Sequence, residues 1–350
     1  MTQQTIDIAG HLIGYDNPCF IIAEAGVNHN GSLERALRLV DAAHAAGADG
    51  VKFQLFRGEE QASRGAPTAE YQREHTGSDS MLDMAQSYDL LWDAQRVIAA
   101  HCREVDIVYL ASCFDQLAVD FLISLGGECI KVGSGEITNY PLLAHMATTG
   151  KPILLSTGMS TLQDVAGAVE YIRAHGDSPL VLFQCVSNYP ADPGTINLRA
   201  MHTLAQAFNV PVGYSDHTLG SAVAVAAVAL GACMVEKHFT LDKTLPGPDH
   251  AMSLDPAELR DFVAAIRTAQ VALGNGVKRP HPGELATRTV ARRSLVSTRL
   301  IHAGERLDDT NVTLKRPATG IDPRLWDAVY NRTTAVDIPD DVPITWDMLA

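Results

Sequence analysis

Two short runs carry residue types that could do chemistry. Ser215-Asp216-His217-Thr218 closes one apolar segment and Glu236-Lys237-His238 closes the next, with a small-residue stretch from about Ser221 to Gly231 between them. Read as strand, helix and strand, this spacing delivers one histidine to the same end of each of two neighbouring parallel strands. Two imidazoles beside carboxylates form a donor set for a divalent metal that leaves positions open for substrate. The plainer reading is two unrelated strand-end histidines. What favours the metal reading is that the rest of the chain repeats the same layout.

Strand-like segments occupy Phe20–Ala25, Val51–Phe56, Ile107–Ser112, Ile130–Gly133, Ile153–Thr157, Val181–Val186, Val210–Ser215 and Met234–Phe239. Helical patterns such as Leu33–Ala46, Gln116–Leu125, Thr161–Ala174, Leu198–Phe208 and Asp255–Leu273 lie between and after them. This rhythm predicts a closed (β/α)₈ TIM barrel over roughly 250 residues. An open doubly wound sheet would place a Gly-rich phosphate turn after its first strand, and Glu24-Ala25-Gly26-Val27-Asn28-His29 is not one. The barrel is expected over residues 1–274, with an N-terminal hairpin at 1–18. Residues 57–80 are polar and without periodicity, and Arg57, Arg64 and Arg73 read as solvated charges of a long loop. A linker is expected at 275–291 and a small β-rich domain at 292–350, with strands at Arg293–Ser297, Leu314–Arg316 and Thr334–Ile338.

In a barrel the reacting groups come from the carboxyl ends of the strands. Those ends supply Glu24, Lys52 with Gln54, Ser112, Lys131 with Ser134 and Glu136, Ser156, Ser187 with Tyr189, His217 and His238. Two lysines and several hydroxyls converging on one mouth describe an anion site. The glycines of Lys131-Val-Gly-Ser-Gly-Glu136 and the helix start after Ser156-Thr157-Gly158 would bring backbone N–H groups to the same anion. The chain as a whole is acidic, with 27 Lys and Arg against 41 Asp and Glu and a formal net charge of −14. That balance argues against nucleic acid and anionic membranes as partners and confines a basic site to a local pocket. Six cysteines without a Cys-x-x-Cys pair, and no base spaced to activate one, read as small apolar residues of a cytoplasmic protein. The start Met-Thr-Gln-Gln-Thr-Ile-Asp has no basic-then-apolar leader pattern.

The runs Ile22-Ala-Glu-Ala-Gly-Val-Asn-His-Asn-Gly31, Gly47-Ala-Asp-Gly-Val-Lys-Phe-Gln54, Lys131-Val-Gly-Ser-Gly-Glu136, Leu155-Ser-Thr-Gly-Met159, Ser215-Asp-His-Thr218, Glu236-Lys-His-Phe239 and Pro246-Gly-Pro-Asp249 occur in an order that resembles the sialic acid synthase family. Arg293-Ser-Leu, Gly304-Glu and Lys315-Arg-Pro317 resemble the antifreeze-like (SAF) domain of those enzymes. The resemblance implies condensation of phosphoenolpyruvate with an open-chain N-acetylmannosamine-type sugar, giving N-acetylneuraminate, or legionaminate from a 2,4-diacetamido sugar. It implies a divalent ion, Mn²⁺ with Mg²⁺ or Co²⁺ as substitutes, on His217 and His238. Lys52, Lys131, Ser112, Ser134 and Ser156 would then hold phosphoenolpyruvate. Glu24 and Glu136 would be the acid/base and sugar-orienting carboxylates in either assignment, with Lys131 beside them. Gln54, Tyr189 and Asp249 would face the sugar or the metal. Arg316 would reach the sugar from the partner of a domain-swapped homodimer. Ser187 replaces an Asn of some family members and Cys113 a common Pro, both near the sugar pocket, while the intact Pro-Gly-Pro-Asp-His run points away from pseudaminate. Another metal-dependent barrel lyase, or a non-catalytic SAF protein, would leave the lysine and hydroxyl platform without a purpose.

Overall fold

The computed structural model describes residues 4–350. The chain divides into two compact units, one up to Gly274 and the other Asn275–Ala350. In the first, β1 (Ile6–Ile8) and β2 (His11–Ile13) form an antiparallel hairpin. Eight parallel strands follow: β3 (Phe20–Gly26), β4 (Gly50–Leu55), β5 (Val108–Cys113), β6 (Ile130–Val132), β7 (Ile153–Ser156), β8 (Leu180–Cys185), β9 (Val212–Asp216) and β10 (Met234–His238). Each pairs with the next in sequence, and β10 pairs back onto β3, so the barrel closes and an open sheet is excluded.

The strands are apolar on both faces because both faces are covered. Alternation sends Phe20, Ile22, Leu110, Leu154, Val181, Phe183 and Met234 into the lumen, where Ile6, Ile8 and Ile13 of the hairpin join them in one cluster. The opposite faces, with Ile21, Val51, Phe53, Leu155 and Leu182, pack in a second and larger cluster with the surrounding helices. Those helices are α1 (Leu33–Ala46), α5 (Trp92–Glu104), α6 (Gln116–Ser124), α7 (Tyr140–Thr148), α8 (Leu162–His175), α9 (Ala200–Phe208), α10 (Ala222–Ala229) and α11 (Pro256–Leu273). Side-chain caps set their starts, as where Asp255 accepts from the N–H groups of Ala257 and Glu258 and Glu258 reaches back to Asp255. No helix among the described residues is long and apolar enough to cross a membrane.

Three local expectations need correction. Residues 57–80 are not plain loop: α2 (Gly58–Gln61) and α3 (Glu70–Thr76), with α4 (Met81–Ser87) just beyond, form three short helices. Segments of four to seven residues are too short for an apolar period to show. The segment 275–291 holds a 3₁₀ turn at Pro282–Glu284 and α12 (Leu285–Ala291), started by His281 accepting from the Gly283 N–H. In the second unit β11 (Ser294–Ser297) pairs with β12 (Val312–Lys315), but Thr334–Ile338 contributes only isolated bridges, Thr334 to Leu349 and Ile338 to Ile301. α13 (Trp326–Val329) completes this unit around Leu295, Ile301, Leu307, Ile321 and Ile338.

The loops at the carboxyl ends of β3 and β10 are tied by a polar network around the buried His250. His250 Nε2 donates to Asn30 Oδ1 at 2.9 Å, its Nδ1 lies 2.7 Å from Thr240 Oγ1, and Asn30 Nδ2 donates to the Pro246 carbonyl. His29 Nδ1 accepts from the Gly31 N–H, so that ring must stay unprotonated to serve the turn. Burial pushes both imidazoles down to about 4 from an ordinary 6.5. The unfolded chain therefore binds more protons than the folded one between those values, and stability falls as pH drops from about 6.5 toward 4. Urea unfolding across this window should show a shallower pH dependence in His29→Gln/His250→Gln than in the parent chain. Equal slopes would mean that these two histidines are not the groups being titrated.

Candidate active site

Alternation along each barrel strand sets the site. Residues two apart share a face, so each inward column begins apolar and ends polar: Phe20, Ile22, Glu24 on β3; Leu110, Ser112 on β5; Leu154, Ser156 on β7; Met234, Glu236, His238 on β10. The result is a cavity of about 480 Å³ over an apolar floor. Glu24, Lys52, Gln54, Ser112, Lys131, Ser134, Ser156, Ser187, Tyr189, His217, His238 and Asp249 all line it.

Charges are packed densely at its base. Lys52 Nζ sits 2.8 Å from Glu24 Oε2 and donates to Ser112 Oγ at 2.8 Å. Lys131 Nζ donates to Ser156 Oγ at 2.6 Å and lies 5.4 Å above the Phe183 ring. Glu236 stands between the lysines, with Oε2 3.7 Å from Lys52 and 3.8 Å from Lys131 and Oε1 accepting from Ser215 Oγ. Burial would raise its pKa, but Lys131 and Lys52 outweigh burial and hold Glu236 ionised below the usual range. For Glu24 burial wins over the attraction of Lys52 and lifts the carboxyl well above the usual range. Burial pulls Lys131 down, only partly offset by Glu236. Two ammonium groups thus face one firmly ionised carboxylate, and the surplus suits an anion. Gly158 belongs to the same corner: its N–H donates to Ser134 Oγ at 3.0 Å, and a Cβ there would run into the hydroxyls of Ser187 and Ser134.

The histidines stand at the other side. Their ring centroids are 5.6 Å apart, and Tyr189 packs at a tilt on His217 at 4.1 Å and meets His238 edge-on at 5.9 Å. His217 Nδ1 donates to the Val186 carbonyl at 2.7 Å, which leaves Nε2 free to ligate. His238 Nδ1 is buried without a hydrogen-bond partner, 3.9 Å from Asp249 Oδ2. Burial keeps His238 neutral and raises Asp249 to about 6. An orphaned, neutral imidazole nitrogen beside a second free one fits a divalent ion. Among the described residues no three His, Cys, Asp or Glu groups close into a full cage, so such an ion would keep open positions.

One residue expected from the barrel is not brought to this cavity. Glu136, in a 3₁₀ turn after β6, does not line it and instead accepts from Asn139 Nδ2 at 2.7 Å. The turn that follows the strand breaks the alternation which would have aimed it inward. Arg316 belongs to the second unit, where its Nε donates to the Ala291 carbonyl. Other lining residues escaped the sequence reading. Glu236 was legible, since it lies two residues before His238 and so on the same face. Cys185 lines the cavity with its Sγ 3.8 Å from His217 Nδ1, a nitrogen whose proton is given to the Val186 carbonyl and which therefore offers the thiol no base. That pair comes from neighbouring strands, 32 residues apart. Tyr71 of α3 stacks on Tyr189 at 5.2 Å, and Val27, Phe56, Met81, Met84, Ala85 and Phe114 form an apolar outer wall. No local pattern marks these loop-borne groups.

Comparison with known proteins agrees with this layout. The NeuB family model matches residues 39–278 and the SAF domain model matches 292–350. The chain is 42% identical over 339 residues, 95% of each chain, to the N,N'-diacetyllegionaminic acid synthase of Legionella pneumophila. It is 36% identical over 307 residues to the human N-acetylneuraminate-9-phosphate synthase, covering 87% of this chain and 85% of the relative. The N-acetylneuraminic acid synthetase structure from Leptospira borgpetersenii superposes with a TM-score of 0.73 at 33% identity, over 81% of this chain and 95% of the other. The barrel with its two-lysine, two-histidine mouth, followed by a SAF domain, therefore places this chain in the NeuB family.

Proposed function

We propose that this chain condenses phosphoenolpyruvate with an open-chain acetamido-mannose sugar and releases inorganic phosphate, as a synthase of the sialic, legionaminic and pseudaminic acid type. The observation that carries the reading is the buried Lys52–Glu236–Lys131 arrangement with its strand-end hydroxyls, facing two histidines across one cavity. Phosphoenolpyruvate is anionic at both ends, and Lys52, Lys131, Ser112, Ser134 and Ser156 would fix it by charge-assisted hydrogen bonds. Carbon 3 forms the new bond to the sugar aldehyde carbon. The aldehyde oxygen takes a proton from Glu24, whose raised pKa keeps one available at neutral pH. Water then adds at carbon 2, returning one proton to Glu24, and as the carbon 2–oxygen bond breaks the second proton of that water leaves with the phosphate. Glu136, turned toward Asn139, has no part in this assignment. His217 and His238 would hold the divalent ion, Mn²⁺ or failing that Mg²⁺ or Co²⁺, whose chemistry is to polarise a carbonyl oxygen when bound. Gln54, Ser187, Tyr189 and Asp249 would orient the sugar.

For the acceptor a second reading stands beside N-acetylmannosamine. The outer wall of Val27, Phe56, Met81 and Met84 is apolar, which favours a 6-deoxy sugar carrying two acetamido methyls over one with more hydroxyls. The name of the 42% identical relative supports the same choice. We further propose a domain-swapped homodimer in which Arg316 of the partner subunit completes the sugar site. In support, Val277, Leu285 and Val290 are 49–68% exposed within the single chain.

Phosphate release should require phosphoenolpyruvate, a divalent ion and sugar together, and run faster with the 2,4-diacetamido-6-deoxy acceptor, with mass spectrometry of the product identifying the acid. Failure with both sugars in folded, Mn²⁺-loaded protein would remove the assignment. His217→Ala and His238→Ala should each lower kcat at least ~100-fold while thermal unfolding moves by only a few degrees. Turnover retained by both variants in excess Mn²⁺ would sink the metal role. Arg316→Ala mixed with His238→Ala should recover activity that each lacks alone, because mixed dimers contain one intact site. No recovery on subunit exchange would argue against a shared site.

A further inference from the structure

Behind the site, on the outward face of the same two strands, lies a buried ion pair with no place in the reaction. Lys237 and Asp216 are register partners on β10 and β9. Their side chains are 2% and 0% exposed, and their sequence neighbours Glu236, His238 and Ser215 take the lumenal face. Lys237 Nζ lies 2.9 Å from Asp216 Oδ2 and also donates to the Thr218 carbonyl. Asp216 Oδ1 accepts from Tyr214 OH at 3.0 Å, from the Thr218 N–H at 2.9 Å and from Thr218 Oγ1 at 2.7 Å. These bonds grip the chain on both sides of His217, and the lysine that closes them is the residue next to His238.

Stability alone does not account for the pair. Desolvating two charges costs several kcal/mol, and well-packed apolar residues in such a place are commonly as stable or more so. The surroundings are already apolar, with Phe262 of α11 5.8 Å from the ammonium. An apolar contact would tolerate small slides and rotations of one strand against the other. A charge pair across register partners, with both carboxylate oxygens engaged, does not. We propose that Lys237 and Asp216 are positioning residues that set the separation and orientation of His217 and His238. The function assigned to that setting rests on the proposed metal role of the two histidines; the setting itself does not.

The test uses Lys237→Met and Lys237→Met/Asp216→Asn in the full chain, the second removing both charges and keeping an acceptor for Tyr214 and Thr218. Imidazole ¹⁵N and ¹H shifts are read without metal, and Mn²⁺ affinity and steady-state kinetics follow. Lys237→Met should lose stability, because it strands the Asp216 charge, and the double variant should regain it. Both variants should shift the His217 and His238 resonances, bind Mn²⁺ about tenfold more weakly and lose about tenfold in kcat, with KM for phosphoenolpyruvate unchanged within twofold. A folded double variant with parental imidazole shifts and Mn²⁺ affinity would overturn the proposal and reduce the pair to a structural one. Should the parent chain itself not bind Mn²⁺, the metal reading fails, and the imidazole shifts still decide the positioning role.

Discussion

Glu236 stands between Lys52 and Lys131 at the top of the barrel lumen, and the rest of the site depends on that placement. Two ammonium groups this deeply buried would lose their protons or open the fold without a negative partner. A single shared carboxylate keeps them charged while leaving them in excess of it. For Glu24, burial together with the neighbouring Glu236 charge outweighs the attraction of Lys52, so its carboxyl holds a proton at unusually high pH. The same four groups therefore combine a surplus of positive charge with a carboxyl that keeps its proton, a difference set by environment rather than by residue type.

The barrel makes this density affordable. Its lower lumen is filled by Phe20, Ile22, Leu154, Phe183 and Met234, with the hairpin isoleucines in the same cluster, so polar groups are confined to the inward positions nearest the carboxyl ends of the strands. Parallel pairing with fixed register sets Glu24 beside Lys52 and Ser112 beside Lys131, and the length of the Lys52 side chain spans the two-residue offset to Ser112. Strand alternation also operates on the outer surface, where it hides the Lys237–Asp216 pair behind the histidines. One strand thus carries a histidine toward the cavity and, one residue earlier, a tether that faces the helices.

The outer half of the cavity is built differently. Tyr71, Met81, Met84 and Ala85 come from short helices between β4 and α5, and their apolar surfaces contrast with the charged base. In the proposed reaction, a polar base with a loop-borne apolar wall would keep the chemistry of condensation apart from the choice of acceptor. Tyr71 links the two by stacking on Tyr189, which in turn packs on His217.

Much of this was legible in the residues. The βα period determined the barrel, because apolar runs of strand length separated by amphipathic helices have few other ways to bury themselves. Position at a strand end determined the ring of Glu24, Lys52, Ser112, Lys131, Ser156, His217 and His238. The same alternation applied to Glu236 would have found the shared carboxylate. It fails for Glu136, because a 3₁₀ turn after β6 ends the period and swings the side chain toward Asn139. It is silent on Cys185 against His217, and on Tyr71 against Tyr189, since those contacts join residues far apart in sequence. Local periodicity reports which way a side chain leaves its own strand. Which charge is shared, which carboxyl keeps its proton and which loop forms the wall depend on distances between elements, and those exist only once the barrel has closed.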